Sequence, residues 1–137
     1  MRLLLFSLSE VTWKQFTSWY HARKLPNPPV PEDAIFVGAE TGDMICGVCL
    51  YPCRGPFCVV EYASTNPLAS LRSRHTATLL LIQQIQVYGA LRGKNMLCFP
   101  RDKSIYRLLM KAGAVQSPST CVYFRPGADS GIDLRLP

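Results

Sequence analysis

The spacing of apolar residues changes along the first third of the chain and predicts a strand followed by a helix. Residues 2–8 alternate weakly between apolar and polar side chains, which is the pattern of a strand. Residues 10–24 follow Ser9, whose hydroxyl can accept from the free N–H groups of a first helical turn. The aromatic residues at helical spacing in this segment are Trp13, Phe16 and Tyr20. We expect this aromatic stripe to face the core.

A proline-rich segment, residues 25–33, separates the helix from the next strands. Four prolines make it a stiff, extended connector. The spacing of Arg23, Pro26 and Pro29 also fits a ligand of proline-recognition domains, but so short a pattern arises easily by chance. Turn residues then divide an apolar stretch into an antiparallel meander, with strands predicted over 34–39, 44–51 and 57–64.

The second half of the chain predicts helices that lie against the same sheet. Residues 71–91 have an apolar arc too wide for a helix that faces water on most sides. The remaining predicted elements are a strand over 95–99, a helix over 103–112 with Asp102 as its cap, and a strand over 120–125. The resulting order, β–α–β–β–β–α–β–α–β, predicts one mixed α/β domain over 1–124 with a central sheet. Residues 125–137 are expected to form a C-terminal tail.

Composition narrows the class of protein. The chain has 137 residues, which fits a single domain, and its 48% hydrophobic and 18% charged residues argue against intrinsic disorder. The longest apolar runs are far shorter than the roughly 18 residues of a membrane span. The first residues imitate a signal peptide, but their apolar stretch is too short and lacks a cleavage site. We therefore expect a cytoplasmic protein whose six cysteines are reduced.

Positive charge is concentrated in one segment. Residues 72–111 contain eight basic residues and one acid, Asp102, whereas the whole chain has a net charge of +6. Such a segment favours an anionic partner, although a solvated helix face would show the same pattern. Nucleic acid is the less favoured partner, because few aromatic residues accompany the charges for base stacking. They are Tyr88, Phe99 and Tyr106.

The junction between the strand over 57–64 and the helix over 71–91 is the first candidate site. The N-terminus of a helix presents unpaired N–H groups and a positive dipole end, which together bind phosphate. Arg72, Arg74 and His75 lie there. Cations at this end oppose the helix dipole and destabilise the helix unless an anion offsets them. The pattern therefore predicts an anion site.

The same junction carries a motif. Arg72-Ser73-Arg74-His75-Thr76-Ala77 is similar to the pattern [Q/R]-x-x-G-x-[G/A], with His75 in place of the central Gly. A second motif is a C-terminal helix that ends in Gly-Phe. The segment 104–114 is similar to it, with Ala114 in place of Phe. In these motifs the chain resembles the GNAT family of acetyl-CoA-dependent N-acetyltransferases, over about 34–124. More narrowly, it is similar to short acetyltransferase-like proteins of tailed bacteriophages.

The resemblance implies a fold, a cosubstrate and site residues. The fold would be a mostly antiparallel sheet with helices on both faces, and the cosubstrate would be acetyl-CoA or a similar acyl-CoA. The motif residues that would hold the pyrophosphate are Arg72, Ser73, Arg74, His75, Thr76 and Ala77. Arg101 or Lys103 would reach the nucleotide phosphates.

The family chemistry transfers an acetyl group to a primary amine. The resemblance implies Glu61 as the general base, acting through water, and a backbone N–H of the same strand as the group that polarises the thioester. The family's tyrosine acid would fall at Leu109, so Tyr106, one turn earlier, is the candidate. This departure keeps an alternative open. The alternative is a catalytically silent GNAT-fold protein of a phage, with a structural role or a host protein as partner.

Cysteines are the remaining candidate for chemistry. Cys46-x-x-Cys49, Cys53 and Cys58 place four thiols close together, as in a zinc site. The first pair lies within a predicted strand, however, where residues three apart point to opposite faces. His21 and His75 lack metal-ligand spacing. We therefore expect no metal, and expect the cysteines to act as small buried apolar residues.

Overall fold

The computed structural model describes residues 2–118 and 121–127, which form a seven-stranded sheet and three helices. In chain order the elements are β1 Leu3–Phe6, α1 Glu10–Ala22, β2 Asp33–Ala39, β3 Met44–Pro52, β4 Phe57–Thr65, α2 Leu71–Arg92, β5 Asn95–Cys98, α3 Lys103–Lys111, β6 Val115–Gln116 and β7 Val122–Phe124. The strands are arranged in the order β1-β2-β3-β4-β5-β7-β6.

The predicted elements are all present, and one strand was not predicted. The short strand β6 pairs with β7, which is described over a shorter range than the expected 120–125. The mixed α/β class is confirmed. The expected tail lies largely outside the described residues.

The sheet is antiparallel except between its two central strands. β4 and β5 run parallel, because α2 crosses over between them. Their pairing extends from Phe57 with Asn95 to Val60 with Cys98. β4 continues beyond this point, so residues 61–65 lie past the last β4–β5 pair. The two strands therefore separate at this end of the sheet.

Helices cover both faces of the sheet, as expected. On one face, Ala77 and Ile85 of α2 and Leu109 of α3 belong to the larger core, and α2 packs mainly against β2 and β3. On the other face, α1 packs through Phe16, which is fully buried and lies 5.3 Å from the Phe36 ring, centroid to centroid. The sheet thus divides the molecule into an α2–α3 face and an α1 face.

Side-chain caps set where the helices begin. Ser9 Oγ accepts a hydrogen bond from the Thr12 N–H at 3.2 Å and so caps α1, as the sequence predicts. Asp102 Oδ1 accepts from the Ile105 N–H at 2.9 Å and caps α3. At the other end of α2, Gly93 adopts a left-handed conformation with φ of 63°, which glycine takes without steric cost.

The proline-rich segment packs against the sheet as a connector. Pro28 and Pro31 are buried. The Tyr51 hydroxyl donates to the Pro29 carbonyl at 2.8 Å. These contacts favour the connector interpretation over an exposed proline ligand.

In the described residues, no helix has both the length and the apolar character that crossing a bilayer requires.

Candidate functional site

A bulge in β4 lies where this strand leaves β5. The register between β3 and β4 shifts: Cys49 faces Glu61, but Gly47 faces Ser64. β4 therefore has one residue more than β3 between these two pairs, which bends and twists the strand locally. Within the bulge, Tyr62 has φ of 59°, in the left-handed region. For a bulky residue this conformation costs on the order of 1–3 kcal/mol and needs support from its surroundings.

Tyr20, in the last turn of α1, and Arg23, directly after this helix, contact β4 at the bulge and just beyond it. The Tyr20 hydroxyl donates to the Tyr62 carbonyl at 2.7 Å. Arg23, which follows the helix, donates to Ser64 Oγ and to Thr65 Oγ1, both at 3.4 Å. Burial raises the pKa of Tyr20 well above its ordinary value, so its hydroxyl keeps its proton and remains a donor.

Glu61 lies on the α1 face of the sheet. Its cross-strand partner Cys49 belongs to the α1 core, whereas the preceding residue, Val60, belongs to the α2–α3 core. Its side chain is half-buried, and within residues 2–118 and 121–127 it has no recorded hydrogen bond or ion pair. Burial, the Cys49 thiol and, more weakly, the charge of Glu61 raise the pKa of the nearby Tyr51. The structure thus presents a half-buried acid without an ion-pair partner at the bulge.

The loop after β4 directs α2 towards the open end of the sheet. Asn66 Nδ2 donates to the Met44 carbonyl at 3.0 Å, and Asn66 Oδ1 accepts from the Leu68 N–H at 2.9 Å. Ser70 Oγ then accepts from the Ser73 N–H at 3.1 Å and begins the helix. These bonds hold the N-terminus of α2 beside the last residue of β4.

A groove between α2 and α3 opens at this helix N-terminus. We call it the α2–α3 groove; its volume is about 1120 Å³, and its charged or titratable lining residues are Arg74, His75, Asp102, Tyr106, Arg107 and Lys111. Arg74 Nε is buried and has no hydrogen-bond partner in the described structure. A buried guanidinium N–H without an acceptor lowers the stability of the folded protein. An anionic ligand in the groove would supply the missing hydrogen-bond acceptor.

Only some residues of the predicted phosphate-binding motif line the groove. Arg74 and His75 line the groove, whereas Ala77 is fully buried beneath α2. Arg72 is exposed outside the groove lining, and the Thr76 hydroxyl donates to its carbonyl at 3.0 Å. The Ser73 hydroxyl bonds with that of Ser70 at 2.9 Å.

The basic residues of the groove differ from those expected after β5. Arg101 and Lys103 are exposed and lie outside the groove lining. Arg107 and Lys111 line it instead. The sequence contained a signal for this pair, because the two are four residues apart and thus share one face of α3.

Tyr106 and Leu109 point in different directions from α3. Leu109 is 5% exposed and belongs to the core, so a side chain at this position does not reach the groove. Tyr106 is 36% exposed and lines the groove. The structure therefore places a phenol in the groove from position 106, and not from position 109, where the resemblance implies the tyrosine acid.

The cysteines show no metal site in the described part of the chain. Cys46 lies in the α2–α3 core and Cys49 in the α1 core, on opposite faces of the sheet. Five of the six thiols are buried, Cys53 is exposed, and none forms a disulfide. No group of three His, Cys, Asp or Glu side chains is positioned to bind a metal among these residues.

Comparison with known proteins identifies the fold. No family model and no curated protein matches the sequence. Among solved structures, the chain is similar to the ribosomal-protein-S18-alanine N-acetyltransferase of Escherichia coli, with a TM-score of 0.66, 9% identity, and coverage of 93% of this chain and 95% of that one. It is also similar to the GNAT family N-acetyltransferase YhbS of Escherichia coli in complex with CoA, with a TM-score of 0.65, 10% identity, and coverage of 95% and 88%.

A third similar structure also contains coenzyme A. The Bacillus subtilis N-acetyltransferase YlbP in complex with coenzyme A has a TM-score of 0.51 and 11% identity, with coverage of 93% of this chain and 98% of that one. At these identities the similarity establishes the fold alone. The chain has the fold of the GNAT N-acetyltransferases.

Proposed function

We propose that the protein binds acetyl-CoA in the α2–α3 groove and transfers its acetyl group to a primary amine. The observation that carries the proposal is the groove itself. It begins at a helix N-terminus, lies beside the open end of β4 and is lined by Arg74, Arg107 and Lys111. CoA carries a pyrophosphate and a 3′-phosphate, and a basic groove of this size is suited to such a ligand. CoA in two similar structures supports the same choice.

The proposed reaction uses the two faces of the sheet. The cosubstrate enters from the α2–α3 face, and the amine approaches from the α1 face, where Glu61 lies. Glu61 takes a proton from the ammonium group through water, and the amine nitrogen then attacks the thioester carbon. A bulge N–H of β4 stabilises the oxyanion. When the carbon–sulfur bond breaks, Tyr106 donates its proton to the thiolate. The attacking nitrogen, now part of an amide, gives its second proton to water, and Tyr106 is reprotonated from water.

A catalytically silent protein with the same fold is the second candidate. The buried Leu109 favours it, because the position that supplies the acid in the family has no acidic hydrogen here. His75 also occupies the place of the motif glycine. The silent protein would bind an acyl-CoA or a protein partner without turnover. The solved structures named above are bacterial proteins and lend no support to the expected phage origin.

Thermal unfolding with acetyl-CoA tests the binding step. A ligand at a hundred times its Kd stabilises the native state by about 2.7 kcal/mol, so acetyl-CoA should raise Tm by several degrees. Arg72→Glu combined with Arg74→Glu should abolish the shift, because it reverses two charges at the α2 N-terminus. Arg54→Glu with Arg125→Glu is the matched control: it makes the same change of net charge at exposed sites outside the groove lining.

The two candidate functions differ in turnover. Amine-dependent release of the CoA thiol, measured with amines, polyamines and lysine-containing peptides, is expected of the enzyme. A Tm shift without thiol release from any acceptor would support the silent protein. The absence of any shift at millimolar acetyl-CoA would contradict both acyl-CoA-binding proposals.

A further inference from the structure

We propose that Tyr20 is a positioning residue that, together with Arg23, holds the β4 bulge in the conformation in which Tyr62 is left-handed. The pair acts from the α1 face on the strand that separates this face from the groove. We call the contacts of Tyr20 and Arg23 with residues 62–65 the α1 clamp. The structural part of the proposal does not depend on catalysis, whereas the kinetic part rests on the proposed function.

The bulge needs support that the sheet does not give it. In the described residues, the pairs between β4 and β5 end at Val60. The register between β4 and β3 shifts between the pairs formed by Glu61 and Ser64. Tyr62, at φ of 59°, thus adopts an unfavourable conformation where the strand ladder is interrupted. Its ring packs edge-on against Tyr51, with 6.0 Å between centroids, and its carbonyl accepts from Tyr20.

The hydroxyl of Tyr20 is held in place by the α1 core. The Tyr20 ring is 9% exposed and lies 5.4 Å, centroid to centroid, from that of the fully buried Phe16. Phe16 in turn packs against Phe36 of β2. Because these rings cannot move independently in a close-packed interior, the hydroxyl is a fixed donor aimed at the bulge.

Arg23 extends the same contact along the strand. Its guanidinium is anchored on the Trp19 carbonyl at 3.3 Å and reaches the hydroxyls of Ser64 and Thr65. The C-terminal end of α1, together with Arg23 after it, thus bonds to β4 at Tyr62, Ser64 and Thr65. Glu61 directly precedes this segment and Thr65 lines the groove, so the clamp links the proposed base to the proposed cosubstrate site.

Loss of the Tyr20 hydroxyl should let the bulge relax. A strand that regains a regular register redirects its side chains, since one residue of slip moves each to the opposite face. Relaxation here would displace Glu61 and the N–H groups of the bulge while the core around Phe16 stays packed. We therefore expect a local change in β4 and a slower chemical step, with little effect on cosubstrate binding.

Amide hydrogen exchange of Tyr20→Phe tests the clamp directly. Peptides covering residues 61–65 should exchange about tenfold faster than in the wild type, and peptides from β2 and β3 should not change. Tyr51→Phe is the matched control, because it removes a similar bond from a tyrosine hydroxyl to a carbonyl, that of Pro29, at 2.8 Å. It should leave exchange at 61–65 unchanged.

Arg23→Ala provides a second variant at an exposed position, and its faster exchange should be confined to residues 64 and 65. Unchanged exchange at 61–65 in Tyr20→Phe would overturn the proposal. Equal acceleration across the whole sheet in both variants would also overturn it, since it would show general destabilisation.

Kinetics add a readout that a purely structural role would not move. In Tyr20→Phe, kcat for amine-dependent thiol release should fall about tenfold, while KM for acetyl-CoA stays within twofold. A rise in KM at unchanged kcat would contradict the positioning role. If the wild type shows neither an acetyl-CoA shift nor thiol release, the proposed function fails, and the exchange experiment still decides whether the clamp exists.

Discussion

At the scale of single residues, Glu61 and Tyr106 lie on opposite sides of the sheet. Glu61 shares the α1 face with Cys49, and Tyr106 lines the groove on the α2–α3 face. A direct transfer is compatible with this separation, because the amine and the leaving thiolate are two different substituents of the tetrahedral carbon. The proposed roles of the two side chains can therefore be tested separately.

Substitution of each residue should separate chemistry from binding. Glu61→Gln keeps the size of the side chain but removes the base, and should lower kcat for thiol release by roughly 10²-fold. Tyr106→Phe should lower kcat as well, because it removes the proposed acid. Both variants should keep the Tm shift with acetyl-CoA. Turnover that is unchanged in both variants would retain the enzyme and reject these two assignments.

At the scale of secondary-structure elements, α3 provides the basic wall of the groove. Leu109 belongs to the α2–α3 core and Ile105 packs against that core. Arg107 and Lys111 lie on the groove side of the helix. Asp102, whose pKa is lowered by hydrogen bonds from the Ser104 hydroxyl and the Ile105 N–H, fixes the start of the helix. The position of α3 thus decides which cations line the α2–α3 groove.

A comparison of two charge pairs tests this assignment. Arg107→Ala with Lys111→Ala should weaken acetyl-CoA binding about tenfold or more, because charge-assisted hydrogen bonds to phosphate are lost. Arg101→Ala with Lys103→Ala removes the same charge outside the groove and should change Kd less than twofold. Isothermal titration calorimetry at fixed ionic strength measures both. The reverse ranking would favour the assignment made from the sequence.

Local sequence signals predicted the helices and strands, but not the bulge at which β4 separates from β5. Ser9, Asp102 and Gly93 mark helix ends by their own chemistry, so these boundaries could be read directly. The bulge depends on the long-range register between β3 and β4. Tyr62 gives no local sign of it, because a left-handed position is normally indicated by glycine.

The candidate site was predicted only in part, because some of its residues carry a local sequence signal and others are brought together by long-range packing. The basic α2 N-terminus was visible as a motif, and Arg74 and His75 do line the groove. The contribution of α3 depends on how two helices pack, which spacing alone does not fix. Likewise, the contact of Tyr20 with Tyr62 joins residues 42 apart in sequence, and nothing in either segment indicates it.

At the scale of the whole molecule, buried thiols occupy both faces of the sheet. Burial raises the pKa of Cys46 and of Cys98 from an ordinary value of 9.0 to about 12. It raises the pKa of Cys49 and of Cys58 to about 11. All four are therefore uncharged in the native protein at neutral pH, as expected of small apolar core residues.

These shifts predict a loss of stability at alkaline pH. In the unfolded chain the four thiols ionise near pH 9, whereas in the native protein they keep their protons up to pH 11–12. Their stabilising contribution is complete below pH 9 and is lost as pH rises through the native values. The free energy of unfolding, measured by urea denaturation under reducing conditions, should therefore fall between pH 8 and pH 10.5.

Substitution of the most shifted thiols shows whether they cause this fall. Cys46→Ala with Cys98→Ala removes two buried ionisable groups, so it should lower stability at pH 8 but make the decline towards pH 10.5 shallower. Cys53→Ala, which alters the exposed thiol, should leave the decline as steep as in the wild type. An equally steep decline in the Cys46 and Cys98 double variant would assign the pH dependence to other groups, such as the buried hydroxyl of Tyr20, whose pKa is also raised by burial.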